Sequence, residues 1–237
     1  MKNNYSNHKK VHAIILARGG SKGIKNKNLI LINNKPLIYW SIKSALKCKN
    51  ILNVWVSSDS EKILKVSKKL GANIIKRPRR LSGDISSSES GWLHAINYIK
   101  KHSHIKFVVA LQATSPLRDK NDLTSAIKTF FINRYDSLFS SSINGAFFRW
   151  KLRNKTLKSN YNLDKIRPRR QLIDTELIEN GSFYIFSAEK FIKNKKRLFG
   201  KIGTFIQNKS QSFEIDDFED VFIIDSIMKN KSLKFKK

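Results

Sequence analysis

The chain has 237 residues, and its 47 Lys and Arg against 18 Asp and Glu give a formal charge of +29. With 40% hydrophobic and 11% aromatic residues it is not a disordered polar chain, and it is long enough to bury a sizeable core. No apolar run reaches the ~18 residues of a membrane-spanning helix, the first ten residues lack the apolar stretch of a signal peptide, and the single Cys48 excludes an internal disulfide and a cysteine-based zinc site; a reducing, cytoplasmic setting with no membrane partner is expected.

Along the chain, residues 11–17 (VHAIILA) form a short apolar run that predicts a buried parallel strand, followed by a polar, glycine-bearing loop over 18–27. Residues 37–46 place Leu37, Trp40, Ile42, Ala45 and Leu46 near one helical face, and 51–56 (ILNVWV) read as a second strand ending in Ser57, Ser58 and Asp59. A helix over 61–70 is stopped by Gly71, and a short strand follows at 72–75. Further on come a helix at 90–99, a buried strand at 107–111, a helix at 123–132 and a strand at 137–143. The aromatic and basic stretch 147–162 has weak periodicity and suits a hairpin outside the main sheet. A strand at 182–186 and a closing helix at 217–228 complete the fold, with 229–237 as a frayed tail. This alternation predicts a single α/β domain over 1–237, an open and mostly parallel sheet with helices on both faces. Ligands bind such sheets at the carboxyl ends of the strands, and the polar loops 18–28, 57–59 and 112–118 all fall there.

A charge of +29 ordinarily points to nucleic acid or an anionic membrane. Here 35 Lys, 21 Asn and 29 Ile, all with A/T-rich codons, suggest a compositional origin, and the lysines are spread along the chain. The basic residues also lack an aromatic stacking platform or a known reader motif, so nucleic acid is not the expected partner. A basic surface would still attract a nucleoside triphosphate.

The first loop combines Gly19, Gly20 and Gly23, which let backbone N–H groups approach an anion, with Arg18, Lys22 and Lys27 and the hydroxyl of Ser21. It is neither a Walker A loop nor G-x-G-x-x-G, and a solvated turn is the alternative. After the strand at 107–111, Gln112 offers an amide that can read a base edge, and Arg118 can hold a phosphate or carboxylate; the alternative is a proline turn with an incidental arginine. Residues 214–220 gather five carboxylates, an arrangement that suits Mg²⁺ on Asp216 or, alternatively, helix capping. Arg167, Arg169 and Arg170, leading to Asn180 and Tyr184, suit carboxylate recognition or simply continue the basic surface. His8, His12, His94, His102 and His104 show no metal-ligand spacing, His94 and Cys48 read as packing residues, and no nucleophile elbow is present.

In this order the motifs resemble those of the acylneuraminate cytidylyltransferases, which make CMP-activated sialic acids. The resemblance rests on ARGGSKGIKNKN at 17–28, VSSD at 56–59, RPRRLSGD at 77–84, LQATSPLR at 111–118, RQ at 170–171 with ENGSFY at 179–184, and IDDFED at 215–220. It implies a Rossmann-like nucleotidyltransferase fold, a homodimer with 147–165 as the dimerisation insertion, and Mg²⁺ as cofactor. The implied reaction joins CTP to a nine-carbon 2-keto sugar acid of the sialic type and releases pyrophosphate. By motif position, Arg18, Gly19, Gly20, Ser21, Lys27 and Asn28 would hold the nucleotide, with Arg77 and Gln112 helping on nucleotide or sugar. Arg170 would approach the sugar carboxylate, and Asn180 and Tyr184 would line the sugar pocket. Asp216 would be the main metal ligand, joined by Glu214 or Asp220, and Arg18, Lys27 and Asp216 would carry the catalysis. Three positions depart from the family pattern: Ala113 stands for Pro, Ser58 for Thr, and Glu214 for an Asp. Legionaminate, pseudaminate or GTP as substrates, a basic nucleic-acid-binding protein and a non-catalytic paralogue are the alternative readings.

Overall fold

The computed structural model describes residues 10–21, 23–144, 148–169, 171 and 175–230. A seven-stranded sheet runs through it, assembled from β1 (Val11–Leu16), β4 (Ile51–Ser58), β5 (Asn73–Lys76), β6 (Phe107–Gln112), β7 (Ser137–Asn144), β10 (Glu176–Ser187) and β11 (Ile202–Gln207) in the order β11-β7-β10-β6-β1-β4-β5. β10 pairs antiparallel with both of its neighbours, and the other pairings are parallel. The mostly parallel sheet expected from the alternation is present.

Successive side chains of β1 point to opposite faces and feed two cores. Ala13 and Ile15 pack with α1 (Leu37–Lys47), α2 (Glu61–Lys69) and α4 (Asp122–Ile132), through residues such as Ile42, Ile63 and Phe130. Ile14 packs on the other face with α3 (Ser88–Lys100) and α5 (Ala188–Asn194), through Trp92, Ile96 and Phe191. Burial on both sides is why β1 and β6 read as continuous apolar runs rather than alternating ones. A third cluster lies off the sheet, where Ile24 of the first loop meets Ile32 of the hairpin β2 (Leu31–Ile32) and β3 (Lys35–Pro36), Ile215, and Ile224 and Met228 of α6 (Phe218–Lys229). That cluster brings the end of the chain to its beginning.

Three differences from the predicted elements have local causes. α5 and β11 are absent from the sequence reading: α5 is only seven residues long, and Ile202 and Ile206 of the edge strand β11 are half exposed, which blurs its pattern. β10 begins at Glu176, well before the apolar stretch, because its first residues extend past β6 and pair only with β7. α6 continues through Lys229, and residues 231–237 of the expected tail lie outside the described residues.

The aromatic and basic stretch does form a hairpin apart from the main sheet, β8 (Trp150–Arg153) with β9 (Thr156–Ser159). The Arg167 guanidinium lies 3.8 Å from the centroid of the Phe148 ring, and Arg149 pairs with Glu176 at the base of β10. Among the described residues no helix is long and apolar enough to cross a membrane. Cys48 is buried, as its packing role requires.

Candidate active site

At the carboxyl ends of β1 and β6 opens a cleft of about 440 Å³. Its wall includes Arg18, Ser21, Lys27, Asn28, Arg77, Gln112, Glu214 and Asp216, eight of the residues singled out from sequence. One side is the glycine loop. Gly19 N–H donates to Asp59 Oδ1 at 2.9 Å, and the buried Asn28 donates from Nδ2 to the Arg18 carbonyl at 3.0 Å, which closes the loop on itself. Gly23 packs so tightly that a Cβ there would collide with the Asp216 carbonyl.

Lys27 bridges the two ends of the chain. Its Nζ donates to Asp216 Oδ1 at 2.9 Å and to the Ile215 carbonyl at 2.8 Å. Arg18 reaches across the cleft mouth to Asp84 Oδ1 at 2.8 Å. Arg77 is buried on the floor, where Nε donates to Ser82 Oγ at 2.8 Å; burial lowers its pKa, with Asp59 raising it and Arg18 lowering it further. Among the described lining residues three cations, Arg18, Lys27 and Arg77, face three carboxylates, Asp84, Glu214 and Asp216.

The opposite side is more deeply buried. Glu214 accepts from Ser115 Oγ at 3.4 Å. Burial raises its pKa, the negative Asp216 raises it further, and Ser115, Arg118 and Lys27 pull it back. The cleft thus sets a cationic loop against two carboxylates whose charges repel one another.

Comparison with known proteins accords with this geometry. The profile of the family described as Cytidylyltransferase matches residues 12–224. The chain belongs to the cytidylyltransferase family. It is 38% identical over 212 residues to N-acylneuraminate cytidylyltransferase A of Danio rerio, covering 87% of this chain and 48% of the fish protein. It is 30% identical over 215 residues to the pseudaminic acid cytidylyltransferase of Campylobacter jejuni, covering 88% of this chain and 91% of that one. The chain thus spans about half the length of the fish relative and most of the bacterial one. A solved CMP:2-keto-3-deoxy-manno-octonic acid synthetase complexed with CTP superposes with a TM-score of 0.72 at 16% identity, covering 94% of this chain and all of that one, which establishes the shared fold.

The remaining predicted residues, Arg170 apart, sit outside the cleft lining. Gly20 belongs to the loop, with open space on the side a Cβ would take. Asn180 donates to Gln207 Oε1 and Ser212 Oγ, both at 3.1 Å, and is buried outside the cleft lining. Tyr184 is also buried; its hydroxyl donates to Glu179 and accepts from Arg197 Nη1 at 3.3 Å, and its ring lies 5.7 Å from that of Trp92. Burial and then the Glu179 carboxylate push its pKa up to about 12. Asp220 is the reciprocal partner in the capping box of α6: its Oδ2 accepts from Asp216 N at 2.8 Å and Asp217 N at 3.1 Å, while Asp220 N donates to Asp217 Oδ1. Arg170 lies outside the described residues.

Arg118 is left open between two readings by the sequence. It is half-buried and spends its two terminal nitrogens on protein groups, the Gln112 and Ser182 carbonyls and Ser41 Oγ, so they are not free for phosphate or carboxylate. Sequence reasoning missed the hydroxyls of Ser86, Ser87 and Ser88, which line the cleft at the start of α3. The serine run just before an apolar helix was the available signal, since Ser87 is the N-cap that accepts from Ser90 N.

Proposed function

We propose that this chain transfers CMP from CTP to a sialic-type nine-carbon 2-keto sugar acid and releases pyrophosphate. The observation that carries this reading is the single cleft in which Lys27 and Asp216, from opposite ends of the chain, stand 2.9 Å apart. The relatives' names supply the substrate class.

The anomeric hydroxyl oxygen of the sugar attacks the α-phosphorus. The new P–O bond forms as the bond to the β-phosphate bridge breaks, and the hydroxyl proton passes to water. Arg18 and Lys27 exchange their carboxylate partners for phosphate oxygens and offset the charge of the departing pyrophosphate. The buried Arg77 adds a fixed positive charge on the floor, and the backbone of Gly20 and Ser21 supplies N–H groups, the Gly19 N–H being held by Asp59. Gln112 supplies an amide that orients nucleotide or sugar. We assign the sugar side to Arg170, Asn180 and Tyr184 as supporting residues: Tyr184 and Asn180 shape the wall behind the cleft rather than its surface.

Mg²⁺ fits the donor set. Asp216 and Glu214 offer hard oxygens close enough for the charge of one to raise the pKa of the other. Mg²⁺ commonly keeps waters and takes its other ligands from substrate phosphates, so it needs only one or two protein carboxylates. Held there, Mg²⁺ supplies positive charge against the phosphate oxygens. Asp220 acts one step back, holding the turn that presents Asp216.

The exposed apolar side chains of the hairpin region, Trp150, Leu152, Leu157, Leu163 and Ile166, support a homodimer formed through residues 147–165. The Campylobacter relative favours pseudaminate as the second sugar to try. Pyrophosphate release measured with CTP, GTP, ATP and UTP against sialic, legionaminic and pseudaminic acids tests the proposal. Release with CTP and one of these acids is expected. No release from any pairing, or strong salt-sensitive DNA binding in its place, would overturn it.

A further inference from the structure

We infer that Arg118 is a positioning residue for the transfer, a buried guanidinium clamp that sets Gln112 and the seat of Glu214 relative to each other. This rests on the proposed function only in that the cleft is taken as the reacting site.

The antiparallel ladder between β6 and β10 ends at Leu111 and Phe183. Between β10 and β7 the register passes from Glu179 opposite Ser141 to Tyr184 opposite Phe139, so β10 advances 184 − 179 = 5 residues while β7 advances 141 − 139 = 2. The extra backbone is a bulge around residues 180–182, with Gly181 at φ +65°. Such bulges re-aim side chains near active sites. Here it opens the space that Glu214 fills: a Cβ on Gly181 would collide with Glu214 Oε1, and Gln112 Nε2 lies 3.2 Å from the same point.

Where the ladder stops, the carbonyls of Gln112 and Ser182 need donors. Arg118 supplies both from one nitrogen, Nη2, with the Ser182 contact at 2.6 Å. Its Nη1 donates to Ser41 Oγ at 2.9 Å, and Ser41 Oγ donates in turn to the Gln112 carbonyl at 2.9 Å. Three groups, from α1, β6 and β10, thus meet at one planar fork carried by the turn after β6, which an ammonium cannot reproduce. Burying this charge is costly, and no direct carboxylate contact to Arg118 is present among the described residues; the charges of Asp122 and Glu214 act on it from a distance. Arg118 does not line the cleft, yet both residues it governs do.

The test uses the full chain with Arg118→Lys and Ser41→Ala, followed by kinetics and by the side-chain amide signals of ¹⁵N-glutamine, of which the chain has only four: Gln112, Gln171, Gln207 and Gln211. Arg118→Lys is expected to move the Gln112 signal, to lower kcat about 10²-fold with a smaller change in KM for CTP, and to add little further loss in a Gln112→Ala background. Ser41→Ala is expected to move the same signal in the same direction by less, and it decides the matter if Arg118→Lys does not fold. An unmoved Gln112 signal in a folded variant, or a loss that multiplies fully with Gln112→Ala, overturns the inference. A wild-type chain without pyrophosphate release defeats the proposed function alone, since the amide signals still report on the clamp.

Discussion

The two walls of the cleft are built on opposite principles. The glycine-loop wall holds its cations in ion pairs that are partly open to solvent: the Arg18 and Asp84 side chains are 35% and 50% exposed, and Asp216 is 75% exposed. Such pairs contribute little to stability, typically about 0–1 kcal/mol, and an incoming triphosphate can replace one partner without disrupting the fold. The facing wall, with Gln112, the bulge of β10 and Glu214, is fixed from behind by buried groups. Arg118 holds two carbonyls, and Asp122 Oδ2 accepts from Gln207 Nε2 at 2.7 Å and Gln211 Nε2 at 2.6 Å, tying α4 to the end of β11. Charge that must exchange partners is left near water, and groups that must orient are locked in the interior.

The sharpest way to break this contrast is to remove the carboxylate at the seam between the walls. Asp216→Asn is expected to fold normally and to lose about 10²–10³-fold in turnover. Pyrophosphate release at saturating Mg²⁺ reads this directly, and a near-wild-type rate would strip Asp216 of its assigned role.

On the fixed wall, Gly181→Ala places a methyl group against Glu214 at a backbone angle that favours glycine. A loss of about 1–3 kcal/mol is expected, measured by urea denaturation. Full stability with unchanged activity would mean that the bulge is softer than the burial of its neighbours indicates.

A control lies outside both walls. His12 is buried in β1, where Trp55 Nε1 donates to its Nδ1 at 3.2 Å and its Nε2 pairs with the His104 carbonyl at 3.2 Å. Burial lowers its pKa below the ordinary 6.5. Above 6.5 the histidine is neutral in both states and its contribution is complete. As pH falls below 6.5 the unfolded chain takes up the proton first, so stability declines, by at most about 1.4 kcal/mol per pH unit for this group. His94 is shifted in the same direction, burial first and Arg77 next, and adds to the decline. His12→Gln should flatten part of the slope in denaturation between pH 7 and 5; an unchanged slope would remove His12 as its source.

The smallest expected effect on stability sharpens the exchangeable wall. Asp84→Asn frees Arg18 from its cross-cleft partner at a stability change under about 1 kcal/mol. CTP should then bind several-fold tighter by calorimetry. Weaker binding would show that Asp84 helps to present Arg18 rather than competing with the phosphates.

Much of the sheet was legible because a strand buried on both faces must be nearly all apolar, and β1 and β6 are, apart from His12 and Gln112. The first loop and the carboxylates near the end of the chain were legible by residue type, and the structure brings Lys27 and Asp216 into one cleft. α5 and β11 were not legible because they are short or lie at an edge, where packing does not impose a clear period. Asp220 and Asp216 look alike in sequence; only the capping geometry separates them. The sequence leaves the role of Arg118 open between a ligand contact and an incidental arginine, because nothing local reveals which groups its guanidinium meets.

The sequence by itself determined the alternation of strands and helices and the chemical parts of the cleft, because periodic burial and glycine, lysine and carboxylate content are properties of short segments. Only the tertiary structure decided that β10 runs antiparallel with a bulge, that Arg118 faces inward, and that Lys27 is paired with Asp216. Those outcomes depend on partners between 6 and 189 residues away in the chain, and a hydrogen bond is chosen by which groups the packed core leaves without water.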